Sequence, residues 1–140
     1  MPLPLQTLKL ELYGNKELTD KIFFLLADLE SSSLQRLTLN CGDCQGLSDE
    51  GLQASLAAHL PQQLVSLCVD FDACKDISAG SMQVFVENLP ESLKTVALHF
   101  EGCEGVDDDA IASLAQMTPE SVENLQLNAK VARGAMPADW

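Results

Sequence analysis

Two cysteines three positions apart, in Cys41-Gly-Asp-Cys44, form the pattern with the most chemical potential in this chain. A C-x-x-C at a helix N-terminus inside a βαβ frame depresses a thiol pKa and supports disulfide exchange. Two such pairs converging on one point hold zinc. Cys68 adds an isolated thiol, and Asp70 and His99 are the residue types of an acid–base pair. Asp107-Asp108-Asp109, with Glu101 and Glu104 nearby, is the densest carboxylate run, the donor type that hard cations such as calcium prefer. Each chemistry makes a further demand: a helix start at Cys41, a second convergent Cys/His pair, a nucleophile beside the histidine, or EF-hand spacing with its glycine. The sequence supplies none of these, so a thiol redox or metal-binding protein using Cys41 and Cys44 stands as an alternative and not as the leading reading.

A repeat does account for these residues. Leu5, Leu34, Leu64, Leu93 and Val122 each open an L-x-x-L-x-L phrase, at intervals of 29, 30, 29 and 29 residues. Within residues 34–41, Leu34, Leu37, Leu39 and Cys41 face inward while Arg36, Thr38 and Asn40 face outward, the period of a strand. Ser48 is a good helix N-cap, followed by Asp49 and Glu50 where the helix dipole favours anions. Leu52, Leu56 and Leu60 then recur at helical spacing until Pro61 ends the segment. Equivalent caps fall at Thr19, Ser78 and Asp107, and the first helix is expected over residues 21–30. The chain divides into repeats 5–33, 34–63, 64–92 and 93–121, a closing strand 122–128, and a tail 129–140 without a helical pattern. Together they form a single domain over residues 1–140.

The register dissolves most of the apparent chemistry. Cys41 shares an inward column with Leu12, Phe71 and Phe100, while Cys44 shares one with Asn15, Cys74 and Cys103. Cys44, Cys74 and Cys103 should stack about 5 Å apart, the spacing of neighbouring strands, as a thiol ladder. Asp107 is a helix cap with two carboxylates behind it. No metal, cofactor or catalytic residue is expected, and the protein reads as a non-enzyme.

The stretch Cys44-Gln-Gly-Leu47-Ser-Asp-Glu-Gly51-Leu52 resembles the C-x-x-[IL]-[TS]-D-x-G-L phrase of the cysteine-containing subtype of the leucine-rich repeat family. That resemblance implies an α/β solenoid, a short curved horseshoe with a parallel sheet on its concave face and helices on its convex face. It also implies that the Asn or Cys column bonds backbone groups in the loops. The subtype is familiar from the receptor subunits of ubiquitin ligases, so a substrate-recognition part of such a receptor is a second alternative. A longer strand segment, with Leu12, Cys41, Phe71 and Phe100 at an extra inward position, departs from the family pattern.

Such folds bind partners on the concave face, because outward strand positions vary without disturbing the core. Three outward columns follow from the register: Thr7, Arg36, Ser66, Thr95 and Asn124; Lys9, Thr38, Cys68, Ala97 and Gln126; Glu11, Asn40, Asp70, His99 and Asn128. Eight Lys and Arg against 21 Asp and Glu give a net charge of −13, a field that repels nucleic acid and anionic membranes. The expected partner is therefore a protein, basic or neutral in charge. No apolar run approaches the roughly 18 residues a membrane-spanning helix needs, and the opening residues lack a signal-peptide pattern. Five cysteines, four of them in repeat columns, suit reduced thiols, and the expected compartment is the cytoplasm. The first helix carries Ile22, Phe23, Phe24, Leu25, Leu26 and Leu29, more apolar surface than one buried face requires. Self-association or further repeats at the N-terminal end would cover it.

Overall fold

The computed structural model describes residues 5–128 and 130–134. Strands β1 (Thr7–Glu11), β2 (Arg36–Asn40), β3 (Ser66–Asp70), β4 (Thr95–His99) and β5 (Asn124–Leu127) alternate with helices α1 (Lys21–Ala27), α2 (Asp49–Ala54), α3 (Ala79–Glu87) and α4 (Asp108–Met117). A sixth strand, β6 (Lys130–Arg133), follows β5. The strands form one sheet in chain order, with β1 to β5 parallel and β6 antiparallel to β5. Register runs unbroken across the parallel part, so Leu37, for example, lies between Leu8 and Leu67. The class is α/β with a mostly parallel sheet.

One apolar cluster fills the space between sheet and helices. Leu37, Leu39, Leu67, Val69, Val96 and Leu98 from the strands meet Phe23, Leu52, Met82 and Phe85 from the helices, all 0–1% exposed. Phe71 bridges the units, edge-on to Phe23 at 5.8 Å and tilted against Phe85 at 6.5 Å. Each helix packs on the next along the chain, α1 on α2, α2 on α3 and α3 on α4.

Backbone pairing continues past the strands into the corner of each unit. Gly14, Asp43 and Ala73 donate their N–H groups to Gly42, Asp72 and Glu101 of the following unit at 2.7–2.8 Å. These corner residues, with Gly102, adopt left-handed φ of 54–81°. Two of the four are glycine, and Asp43 and Ala73 hold the same turn against their own Cβ.

Helix starts are tied across unit boundaries. The Asp20 carboxylate accepts from Ser48 N–H (2.8 Å) and Ser48 Oγ (2.6 Å). Asp49 repeats this on Ser78 (2.8 and 2.7 Å) and also accepts from the Ser81 hydroxyl. Ser48 and Ser78 in turn cap their own helices. Gly51 must stay small, since a Cβ there would overlap the Asp20 carboxyl group. In the last unit the cap is itself an acid, Asp107, accepting from Ala110 N–H at 2.7 Å, and the position equivalent to Asp49 is Ala79. An aspartate at 79 would face a second carboxylate.

Four details differ from the sequence expectation. Thr19 is not the cap of α1: its hydroxyl accepts only a 3.4 Å bond from Lys21 N–H, and the cap position falls on Asp20, already helical at φ −58°. The Asp20 side chain caps nothing locally because Ser48 holds it. The helical segment over residues 21–30 is shorter, with α1 ending at Ala27. The helix expected from Leu52 to Leu60 breaks at Ser55 (φ −130°, ψ −99°) and resumes as a 3-10 turn over Leu56–Ala58. This is the unit whose period is 30, so the break accommodates its extra residue while Leu52, Leu56 and Leu60 stay buried. Finally, the strand over 122–128 is not the last: within the tail, read as lacking a helical pattern, β6 pairs with β5, and Arg133 donates to the carbonyls of Pro119 (2.8 Å) and Val122 (2.9 Å).

Replacing Ala79 by Asp should lower stability by about 1 kcal/mol, the repulsion of two charges near 4 Å in water. Adding Asp107→Ser to that variant should restore or exceed wild-type stability by recreating the Asp49–Ser78 geometry. Urea unfolding of both variants checks the sign change.

Candidate functional site: the outward face of the sheet

The outward columns assemble as the register requires. Thr7, Arg36, Ser66, Thr95 and Asn124 align across β1 to β5, beside Lys9, Thr38, Cys68, Ala97 and Gln126. Glu11, Asn40, Asp70 and His99 continue the third, and Asn128 follows just beyond β5. Their accessibility is uneven. Thr7, Lys9, Glu11 and Arg36 are exposed, and most of the remainder are half-buried. Ser66 (9%), Thr95 (7%) and Ala97 (0%) are buried, contrary to the expectation of an open surface. Ser66 and Thr95 lie side by side between Arg36 and Asn124, Ala97 lies between Cys68 and Gln126, and Asn124 Nδ2 reaches Thr95 Oγ1 at 3.4 Å. They form a floor and cannot reach a partner first.

The third column is partly committed to the corners. Asn40 Oδ1 accepts from Gly42 N–H at 3.2 Å and Asp70 Oδ1 from Asp72 N–H at 2.9 Å. Asn128, itself left-handed at φ 56°, accepts from Phe100 N–H at 2.7 Å. Asp70 and His99 are register partners, yet no ion pair joins them among the described residues. Asp72 Oδ1 accepts from Glu101 N–H at 2.7 Å. Burial pushes the Asp72 carboxyl above its usual range; that bond pulls it down, Asp70 adds to the rise, and His99 opposes it. The strand ends thus carry an acidic margin beside His99. At the opposite edge Lys9 and Glu11 pair at 3.2 Å, both exposed.

The cysteines are packing and hydrogen-bonding groups. Cys41, Cys44, Cys74 and Cys103 are free thiols and buried. Each of the last three donates to a carbonyl of the preceding unit: Cys44 to Leu12 (3.0 Å), Cys74 to Cys41 (3.0 Å) and Cys103 to Phe71 (3.1 Å). Asn15, first in the column, instead accepts from Glu17 N–H. Burial pushes the Cys41 and Cys74 thiols up to about 12 and Cys103 to about 11. This is the reverse of an activated thiol, and α2 starts at Asp49, well after the C-x-x-C. Half-buried Cys68 is also raised, to about 11, chiefly by burial and then by Asp70. Among the described residues no group of three His, Cys, Asp or Glu is placed to hold a metal ion.

Two features carry no clear mark in the sequence pattern. Arg133 closes the far end of the sheet, its guanidinium spread over the last carbonyls of α4 and the turn beyond. On the helical side, a groove of about 580 Å³ lies between α1 and the broken end of α2, lined by Phe24, Leu25, Ala27, Ala54, Ser55 and His59. Phe24 and Leu25 stand 52% and 65% exposed there. His59 Nδ1 lies 3.3 Å from Glu30 across this junction. The 30-residue interval and the surplus apolar surface of the first helix are the sequence signals that point to the groove. Nothing periodic announces Arg133.

No protein-family model matches the chain, and no curated protein matches it in sequence. Among solved structures it is similar to the actin-binding site 2 of leiomodin-1, with a TM-score of 0.63 and 12% identity. That match covers 86% of this chain and 69% of the leiomodin chain. At such identity the likeness is one of fold. No described helix is long and apolar enough to cross a membrane.

With Ellman's reagent at pH 8, four thiols should react only after unfolding. Cys68 should react in the folded protein, but about a hundredfold more slowly than a free cysteine with a pKa of 9.0. An unfolded chain releases the Cys41, Cys74 and Cys103 protons near 9.0, whereas the folded chain holds them to about 11–12. Their contribution to stability is therefore complete below pH 9 and declines as pH rises from 9 toward 12. Denaturation midpoints across that range test the decline.

Proposed function

We propose that this chain is a short leucine-rich repeat array of the cysteine-containing type, and that it binds another protein through the outward sheet face without catalysing a reaction. The observation that carries this reading is the unbroken register of five parallel strands, which holds three columns of non-core side chains at fixed spacing. The column of thiols bonded to the preceding unit supports the subtype. Thiol pKa values raised by burial favour binding over thiol chemistry. Leiomodin's similar fold serves as an actin-binding site, which makes a folded protein surface a reasonable class of ligand.

Within the face, Lys9, Arg36, Thr38, Cys68, His99 and Gln126 remain as contact residues, while Ser66 and Thr95 form its floor. A net charge of −13 favours a basic or neutral partner. No aromatic anchor stands in the three columns, so affinity is expected to be modest.

The test compares wild type with an Arg36→Ala/His99→Ala/Gln126→Ala variant in binding to a partner captured from lysate, with purified actin as the first defined candidate. Binding lost by the variant at unchanged stability supports the face; binding retained in full removes it. As a control, Leu67→Ala should cost roughly 2–5 kcal/mol, the range for a buried leucine, and abolish binding through unfolding.

A further inference from the structure

The two ends of the sheet differ in kind. At the far end β6 covers β5. At the near end β1 pairs only with β2, and no described strand lies on its outer side. The Gln6 carbonyl accepts from Arg36 N–H (2.9 Å) and Leu12 N–H donates to Asn40 (2.7 Å), so the even-numbered positions turn their backbone toward β2. Alternation then points the N–H and C=O groups of Thr7, Lys9 and Glu11 outward, open for pairing. The inward side chains of this strand are also incompletely covered. Leu8, Leu10 and Leu12 are half-buried, whereas Leu37, Leu39 and Cys41 beside them on β2 are 0–1% exposed. Tyr13 at the strand's end is 69% exposed.

We propose that a second copy of this chain covers this edge, β1 pairing antiparallel with β1 about a two-fold axis at Leu10. A lone lysine on an edge strand normally discourages pairing. Here the sequence Thr7-Leu-Lys9-Leu-Glu11-Leu-Tyr13 reverses that effect in one register. Centred on Leu10, the pairing sets Lys9 opposite Glu11 of the other copy, twice. The same register sets Leu8 opposite Leu12, Leu10 opposite Leu10, and Thr7 opposite Tyr13. Charges match on the outward side, leucines meet on the core side, and the residues brought into hydrogen-bonded opposition are those with free backbone groups. Centring on Lys9 would oppose two lysines, and centring on Glu11 two glutamates. The Lys9–Glu11 pair within one strand, 60% and 65% exposed, exchanges for two pairs between copies. One strand pair is a small interface and each copy carries a net charge of −13, so the dimer is weak.

Sedimentation velocity at physiological salt, from about 5 to about 500 µM, reads this directly. The wild type should shift from monomer to dimer and no further, because a two-fold contact closes. Lys9→Glu places glutamates opposite one another and should weaken association by about tenfold or more. Lys9→Glu combined with Glu11→Lys restores both pairs only in the register centred on Leu10, and should regain the dimer. A wild type that stays monomeric throughout overturns the proposal, as does a Lys9→Glu variant that dimerises normally. Failure of the double variant to recover, with both variants folded by circular dichroism, overturns it equally.

Discussion

Neighbouring units of this protein complete one another's hydrogen bonds and share one core. The corner N–H groups of one unit end on carbonyls of the following one, and the cysteine thiols reach back to carbonyls of the unit before. Aspartates at two helix starts hold the serine caps of their successors. Phe71 lies between aromatic rings from the first and third units. Stability in such an arrangement is a sum over neighbours, and a unit without a neighbour is a unit with open valences.

That dependence explains which side chains are available for anything else. Inward strand positions belong to the core, and the corners draw on the outward face as well. Asn40, Asp70 and Asn128 occupy the column nearest the corners and commit an oxygen to backbone N–H groups. Ser66, Thr95 and Ala97 are small and enclosed by their neighbours. The groups that stay exposed on this face, Thr7, Lys9, Glu11 and Arg36, are polar or charged and lie on β1 and β2. The acidic margin at Asp70, Asp72 and Glu101 is the other electrostatic feature of this face.

Repetition makes much of this legible in the sequence. A position that recurs four or five times reveals its environment by the company it keeps, so strand register, inward columns and three of the four helix caps are readable from residue order alone. Thr19 fails as a cap because its neighbour Asp20 answers to Ser48, a residue 28 positions away that local capping rules do not see. The tail departs from expectation for the opposite reason. β6 occurs once, its four residues carry no period, and Arg133 acts through carbonyls of α4 and the turn after it. Burial of Thr95 and Ala97 is invisible to the pattern because outward direction and exposure are different quantities, and only packed neighbours separate them.

The extra residue in the second unit has a further meaning. It leaves the sheet register untouched, since β2 and β3 pair without a bulge, and all of its effect falls on the helical side as the break at Ser55. That break is also where the groove beside α1 opens. Length on one side of this molecule is therefore conserved by geometry, while length on the other is free to drift. A lineage could acquire or lose a cavity by a single codon insertion or deletion, leaving the strand register unchanged.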